Sequence, residues 1–210
     1  MKKVMVIVAL LVCFFGCMPQ AKADEPLDFA FGENGSWVIL RKCDHGRQYI
    51  SYQGVSTKLT NAITEHKNQG NSWLGVGLDG KNGFILVSEN STRVRLQQSN
   101  VYASVTNKIQ EIRNKGWYVK DVALTTTGGY VIIYGQSNYS KNGWTYSGDV
   151  PESLKNYFKG TVDGKIYPIG VGITPNGGWA LVYTHEHCNK WHMRSQNIPK
   201  GAADHIEANF

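Results

Sequence analysis

Apolar residues fall along this chain in four successive blocks with the same internal order. Each block opens on a short apolar run: Asp28–Phe31, Gly75–Leu78, Asp121–Leu124 and Gly170–Ile173. Five residues follow each run, and then an aromatic: Trp37, Phe84, Tyr130 or Trp179. The runs recur at spacings of 47, 46 and 49 residues, which is the interval of repeat architectures. Behind each aromatic lies a continuous apolar stretch: Val38–Leu40, Ile85–Val87, Val131–Ile133 and Ala180–Val182. A strand without polar alternation is covered on both faces. A third, half-buried run follows at Tyr49–Tyr52, Val94–Leu96, Trp144–Tyr146 and Trp191–Met193. Each block closes on apolar residues at helical spacing: Val55/Leu59/Ile63, Val101/Val105/Ile109, Val150/Leu154/Phe158 and Ile198/Ala202/Ile206. Pro151 and Pro199 fall where the first residue of a helix tolerates proline. The pattern predicts four βββα modules, at about 24–70, 71–116, 117–165 and 166–210.

The turn between the first two strands carries its own signal. Two residues before each aromatic stands Gly35, Asn82, Gly128 or Gly177. Glycine and asparagine enter the left-handed region most cheaply, so all four turns are expected to pass through one positive-φ residue there. The first strands add a second regularity. Small residues (Ala30, Gly77, Ala123, Gly172) share a face with Asp28, Gly75, Asp121 and Gly170. Such a face suits backbones meeting closely around a narrow axis. The expected fold is α+β, with four βββα repeats in a closed, propeller-like ring, hairpins inside and helices outside. The alternative is an open, curved antiparallel sheet with helices on one face.

The first 23 residues have another character. Lys2 and Lys3 precede the apolar run Val4–Phe15, and Ala21-Lys22-Ala23 offers a small-x-small cleavage site. This predicts a secretory signal at 1–23, a periplasmic or secreted protein, and no membrane span after cleavage. A lipoprotein reading at Cys17 fits less well, because Phe14 and Phe15 stand where smaller residues are usual. The full chain carries a net charge of +6. Losing Lys2, Lys3 and Lys22 leaves 19 basic against 16 acidic residues, a net of +3. With no basic cluster, nucleic acid is not an expected partner.

The repeat VAL-x-x-x-GG-aromatic-V-I-I-Y, at Val122–Tyr134 and Val171–Tyr183, resembles repeats of bacterial exported proteins of mostly unassigned function. The resemblance supports the modular reading and brings no activity or site residue.

Candidate chemistry is sparse. Cys43 and Cys188 follow the second strand of the first and last modules, so an exported ring predicts a disulfide between them. Closing a loop of that length would contribute about 5 kcal/mol on the chain-entropy view. His185, His187 and His192 form the densest set of metal ligands, suited to zinc or copper, although a solvated histidine-rich loop explains them more simply. Without that metal no cofactor is called for. Asp28 and Asp121 come from opposite modules and would face each other at the axis. There they would bind a cation, raise one another's pKa, or, most plainly, line a hydrated pore. Tyr139, Trp144, Tyr146 and Trp191 lie in the outer strands and loops of the third and fourth modules. Aromatic residues on variable loops suit recognition. No nucleophile–base pair or phosphate loop is evident. The expected function is thus non-catalytic binding of a protein or glycan in the envelope or outside the cell. A metal-binding protein or metal-dependent hydrolase is the alternative.

Overall fold

The computed structural model describes residues 24–90, 93–136, 142–160, 166–185 and 188–210, so the predicted signal at 1–23 lies outside the described residues. Each module is a three-stranded antiparallel meander followed by a helix. The first comprises β1 (Glu25–Phe31), β2 (Trp37–Lys42), β3 (Gln48–Gln53) and α1 (Thr57–Asn68). The second comprises β4 (Ser72–Leu78), β5 (Phe84–Glu89), β6 (Val94–Ser99) and α2 (Ala103–Asn114). β7 (Tyr118–Leu124), β8 (Tyr130–Gly135), β9 (Asn142–Tyr146) and α3 (Glu152–Gly160) form the third. β10 (Ile166–Ile173), β11 (Trp179–His185), β12 (Cys188–Gln196) and α4 (Lys200–Asn209) form the fourth.

The turns behave as the repeat predicts. Gly35, Asn82, Gly128 and Gly177 all have positive φ, between 68° and 88°. In two of the turns a threonine adds a local lock: Thr125 and Thr174 each accept a hydrogen bond from the glycine four residues on, at 2.7 Å. Asp79 does the same for Gly83 in the second module.

The helices start slightly later than the apolar spacing suggests. Val55, Val101, Val150 and Ile198 precede their helices and still pack into the cores beneath them. Ser56 caps α1 by accepting from the Leu59 N–H at 3.4 Å. Pro199 stands at the cap of α4, not at its first residue, and Pro151 directly precedes α3. Their carbonyls accept the first helical N–H bonds, from Ala202 and Leu154, both at 3.0 Å. A residue whose only backbone role is to accept a bond needs no N–H.

No module has a core of its own. Val38 and Leu40 of the first module, with Leu59 and Ile63 of α1, pack on Trp73, Val76 and Leu86 of the second. The second module meets the third through Ile85, Val87 and Ile109 against Val122 and Ile132. The third meets the fourth through Leu154 and Phe158 against Val171, Trp179 and Leu181. Ala180, Val182 and Ile206 of the fourth pack on Phe29, Trp37 and Ile39 of the first. Each middle strand is therefore apolar on both sides, because one face meets its own helix and the other the preceding helix. The inner strands follow the same order: β1 lies beside β4 and β10, and β7 beside β4 and β10. At the first-to-fourth junction the Asp24 N–H donates to Asn209 O at 3.3 Å, and Arg41 bonds both Asp24 and Asn209.

Candidate functional site

The inner strands all bulge at one place. Pairing of the first strand with the second slips between Pro26 and Asp28, Trp73 and Gly75, Val119 and Asp121, and Pro168 and Gly170. A bulge bends its strand and re-aims the side chain beside it. The residues so presented are two aspartates and two glycines. The glycines admit no side chain: a Cβ on Gly75 would lie 2.8 Å from Asp121 Cα, and one on Gly170 would lie 2.8 Å from Asp28 Cα. Two residues on, Cβ atoms at Gly77 and Gly172 would run into the Val122 and Phe29 carbonyl oxygens.

Asp28 and Asp121 are both 0 % exposed, which corrects the expectation of hydrated pore-lining acids. Close packing of the four bulged strands leaves those carboxyls no exposed surface. Each aspartate reaches the inner strand of the next module. Asp28 Oδ2 accepts from the Val76 N–H at 2.6 Å, and Asp121 Oδ2 accepts from the Val171 N–H at 2.8 Å. Asp121 Oδ1 also accepts from the Val122 N–H at 2.6 Å, whereas the corresponding Phe29 N–H acts on the Asp28 carboxyl without forming a well-aligned bond to Oδ1. Burial, and then the charge of Asp121, hold the Asp28 carboxyl well above the usual carboxylate range. Burial pushes Asp121 up to about 7, while its hydrogen bonds act the other way.

The structure brings together two of the three predicted metal ligands. The His185 and His192 rings lie 4.7 Å apart, edge to face, and both border Tyr183. His187 lies outside the described residues. The remaining neighbourhood is aromatic: Tyr157 of α3 sits 5.8 Å from Tyr183, and Arg194 hydrogen-bonds both tyrosines. Burial, reinforced by Tyr183, pushes the Tyr157 hydroxyl up to about 12. Another trio, Cys43, Asp44 and His45, has its ligand atoms within 4.8 Å of one another. These are three successive residues, two of them exposed, with His45 already bonded to Asp44 at 2.6 Å. Cys43 is a free thiol, and the side chain of Cys188, its predicted disulfide partner, lies outside the described residues.

The predicted recognition aromatics that are described, Trp144, Tyr146 and Trp191, are half-buried. Trp144 and Tyr146 stack on Phe158 of α3 at 6.0 and 6.1 Å, and Trp191 meets Phe210 edge-on at 6.1 Å. Trp144 and Tyr146 cover the flank of α3, and Trp191 packs just past the end of α4. Tyr139 lies outside the described residues.

Open space lies at the junctions of earlier modules. Between the first and second is a groove of about 760 Å³, whose lining includes Lys42, Tyr49, Ile50, Lys67, Trp73 and Glu89. Its floor is tied by Gln48, whose side-chain amide exchanges two hydrogen bonds with the Trp73 backbone. Tyr49 is 39 % exposed at its rim, under the Arg41 guanidinium. The equivalent groove between the second and third modules measures about 310 Å³ and presents Arg93, Arg113, Trp117 and Tyr118. A further opening of about 610 Å³ lies among the hairpin turns, lined by Glu33, Asn34, Lys81, Thr126, Pro175 and Asn176. These grooves lie in part against the loops after the second strand, but at the first two junctions, whereas the expected binding face belongs to the third and fourth modules. The repeat offers one signal for them, since Lys67 and Arg113 recur in the last turn of successive helices.

Among the described residues no helix is long and apolar enough to cross a membrane. Compared with protein-family models, curated proteins and solved structures, the chain matches none.

Proposed function

We propose that this is an exported, non-catalytic binding module, that its four modules close into a propeller-like ring, and that it recognises a protein or glycan in the cell envelope or outside the cell. The observation that carries the binding reading is the groove between the first two modules. It is open, lined by mixed polar and apolar surface, and rimmed by the exposed Tyr49. Tyrosine brings large contact area at little entropic cost, and polar walls suit a ligand that keeps some of its hydration. The ring reading is supported by the fourth core, which joins the last module to the first.

The test is a glycan array together with crosslinking in envelope extract, comparing wild type with two double variants. Tyr49→Ala/Tyr118→Ala should lose the ligand, while Trp144→Ala/Trp191→Ala, if folded, should keep it. The reverse result returns the site to the later modules. Turnover of a peptide or glycan by purified protein overturns the class. In oxidised protein Cys43 pairs with Cys188, so the chain taken from its own compartment migrates faster without reductant. Alkylation of both thiols in that material defeats the pairing.

A further inference from the structure

We propose that Asp28 and Asp121 form a one-proton site: a carboxylic acid donating to a carboxylate, which pins opposite modules together and makes the stability of the assembly depend on pH. Four observations converge on the pair. Both side chains are fully buried, they belong to the first and third modules, and each holds the inner strand of the following module through a backbone N–H. Gly75 and Gly170 stand at the same bulge in the other two modules, where any side chain would strike Asp121 or Asp28. The axis thus holds two carboxyl groups and no more.

The position of the proton follows from the hydrogen bonds. Asp28 bonds Val76 and Asp121 lies against Gly75, so the two carboxyls act directly on each other, and two such buried neighbours cannot both ionise. Asp121 accepts N–H bonds on both oxygens and is the better anion. Asp28 Oδ1 makes no well-formed hydrogen bond, the Phe29 N–H acting on that carboxyl only weakly, as expected of an oxygen that carries the proton and gives it to Asp121. The surrounding strands supply no countercharge. β4 contributes glycines and apolar residues here, and β10 contributes Tyr167 as its one ionisable group. On β7, Lys120 is drawn toward Glu89, and on β1, Glu25 lies at the far end, opposite Lys42.

The sign of the pH effect is set by the raised pKa values. Unfolded aspartates ionise near 3.8, so above that pH the folded chain holds protons that the unfolded chain has lost. The contribution is complete below that point. It declines as pH rises, through about 7 for Asp121 and further for Asp28.

The experiment combines infrared spectroscopy with thermal melts from about pH 5 to pH 9. Wild type should show a protonated-carboxyl band at neutral pH that Asp28→Asn removes. Its melting temperature should fall as pH rises, and Asp28→Asn, whose amide donates as the acid does, should flatten that fall. The absence of a protonated-carboxyl band in wild type at neutral pH overturns the proposal, whether or not the variant folds. So does a wild-type melting temperature raised at neutral pH by calcium or magnesium, which would make the pair a cation site.

Discussion

Gln48 and Trp73 are joined as two strands would be. Gln48 Nε2 donates to the Trp73 carbonyl at 3.0 Å, and the Trp73 N–H donates to Gln48 Oε1 at 2.7 Å. A side-chain amide copies the backbone pattern and stitches the first module to the second where no strand pairing exists. Gln48→Ala would leave a largely buried N–H and carbonyl unmatched, at a cost of about 1–3 kcal/mol in chemical denaturation. Gln48→Glu keeps the acceptor and loses the donor, so it should fall between the two. A wild-type value for Gln48→Ala would show that water replaces the amide.

Gly77 and Gly148 should respond oppositely to alanine. A Cβ at Gly77 would strike the Val122 carbonyl of the neighbouring inner strand, which cannot move without its sheet. Overpacking of this kind costs about 1–3 kcal/mol. Gly148 has nothing within 4 Å of its Cβ direction and no positive φ, so Gly148→Ala should be neutral or stabilise by about 0.5 kcal/mol. Denaturation midpoints of the two variants test the close approach directly.

His66 is buried between modules, with Nδ1 2.7 Å from Ser88 Oγ and Nε2 2.8 Å from Gln97 Oε1. Gln97 Oε1 only accepts, so Nε2 carries a proton and, in the neutral ring, Nδ1 accepts from the serine hydroxyl. Ser88→Ala should cost about 1–3 kcal/mol by orphaning Nδ1. Long-range nitrogen-15 NMR should report the Nε2–H tautomer in wild type, and an Nδ1–H form would contradict the assignment.

Trp144 separates packing from recognition. It stacks on Phe158 of α3 and is half-buried, so Trp144→Ala should destabilise by about 2–4 kcal/mol, near the lower part of the range for aromatic truncation. Trp144→Phe should recover much of that loss. A folded Trp144→Ala protein of wild-type stability that has lost its ligand would instead place the ring in the binding site.

Much of the scaffold can be read from residue order alone, because it rests on local rules repeated four times. The apolar runs mark twelve strands and four helices, and the glycine or asparagine before each aromatic marks the positive-φ turn, since few other residues enter that region cheaply. The Asp-x-Ala and Gly-x-Gly strands announce close backbones. What lies between the inner strands was decided in three dimensions. The bulges at Leu27, Leu74, Lys120 and Ile169 follow no single residue type, and they leave Asp28 and Asp121 fully buried. Hydration depends on how tightly four distant strands pack, which neither aspartate encodes. The same holds for the aromatic residues. Trp144 and Trp191 resemble surface rings in sequence, yet Trp144 stacks on Phe158 of α3 and Trp191 meets Phe210 just past α4, while Tyr49 and Tyr118 stay open beside the grooves at their junctions. Periodicity determines which face of an element is apolar, whereas the packing of one module on the next decides what that face meets.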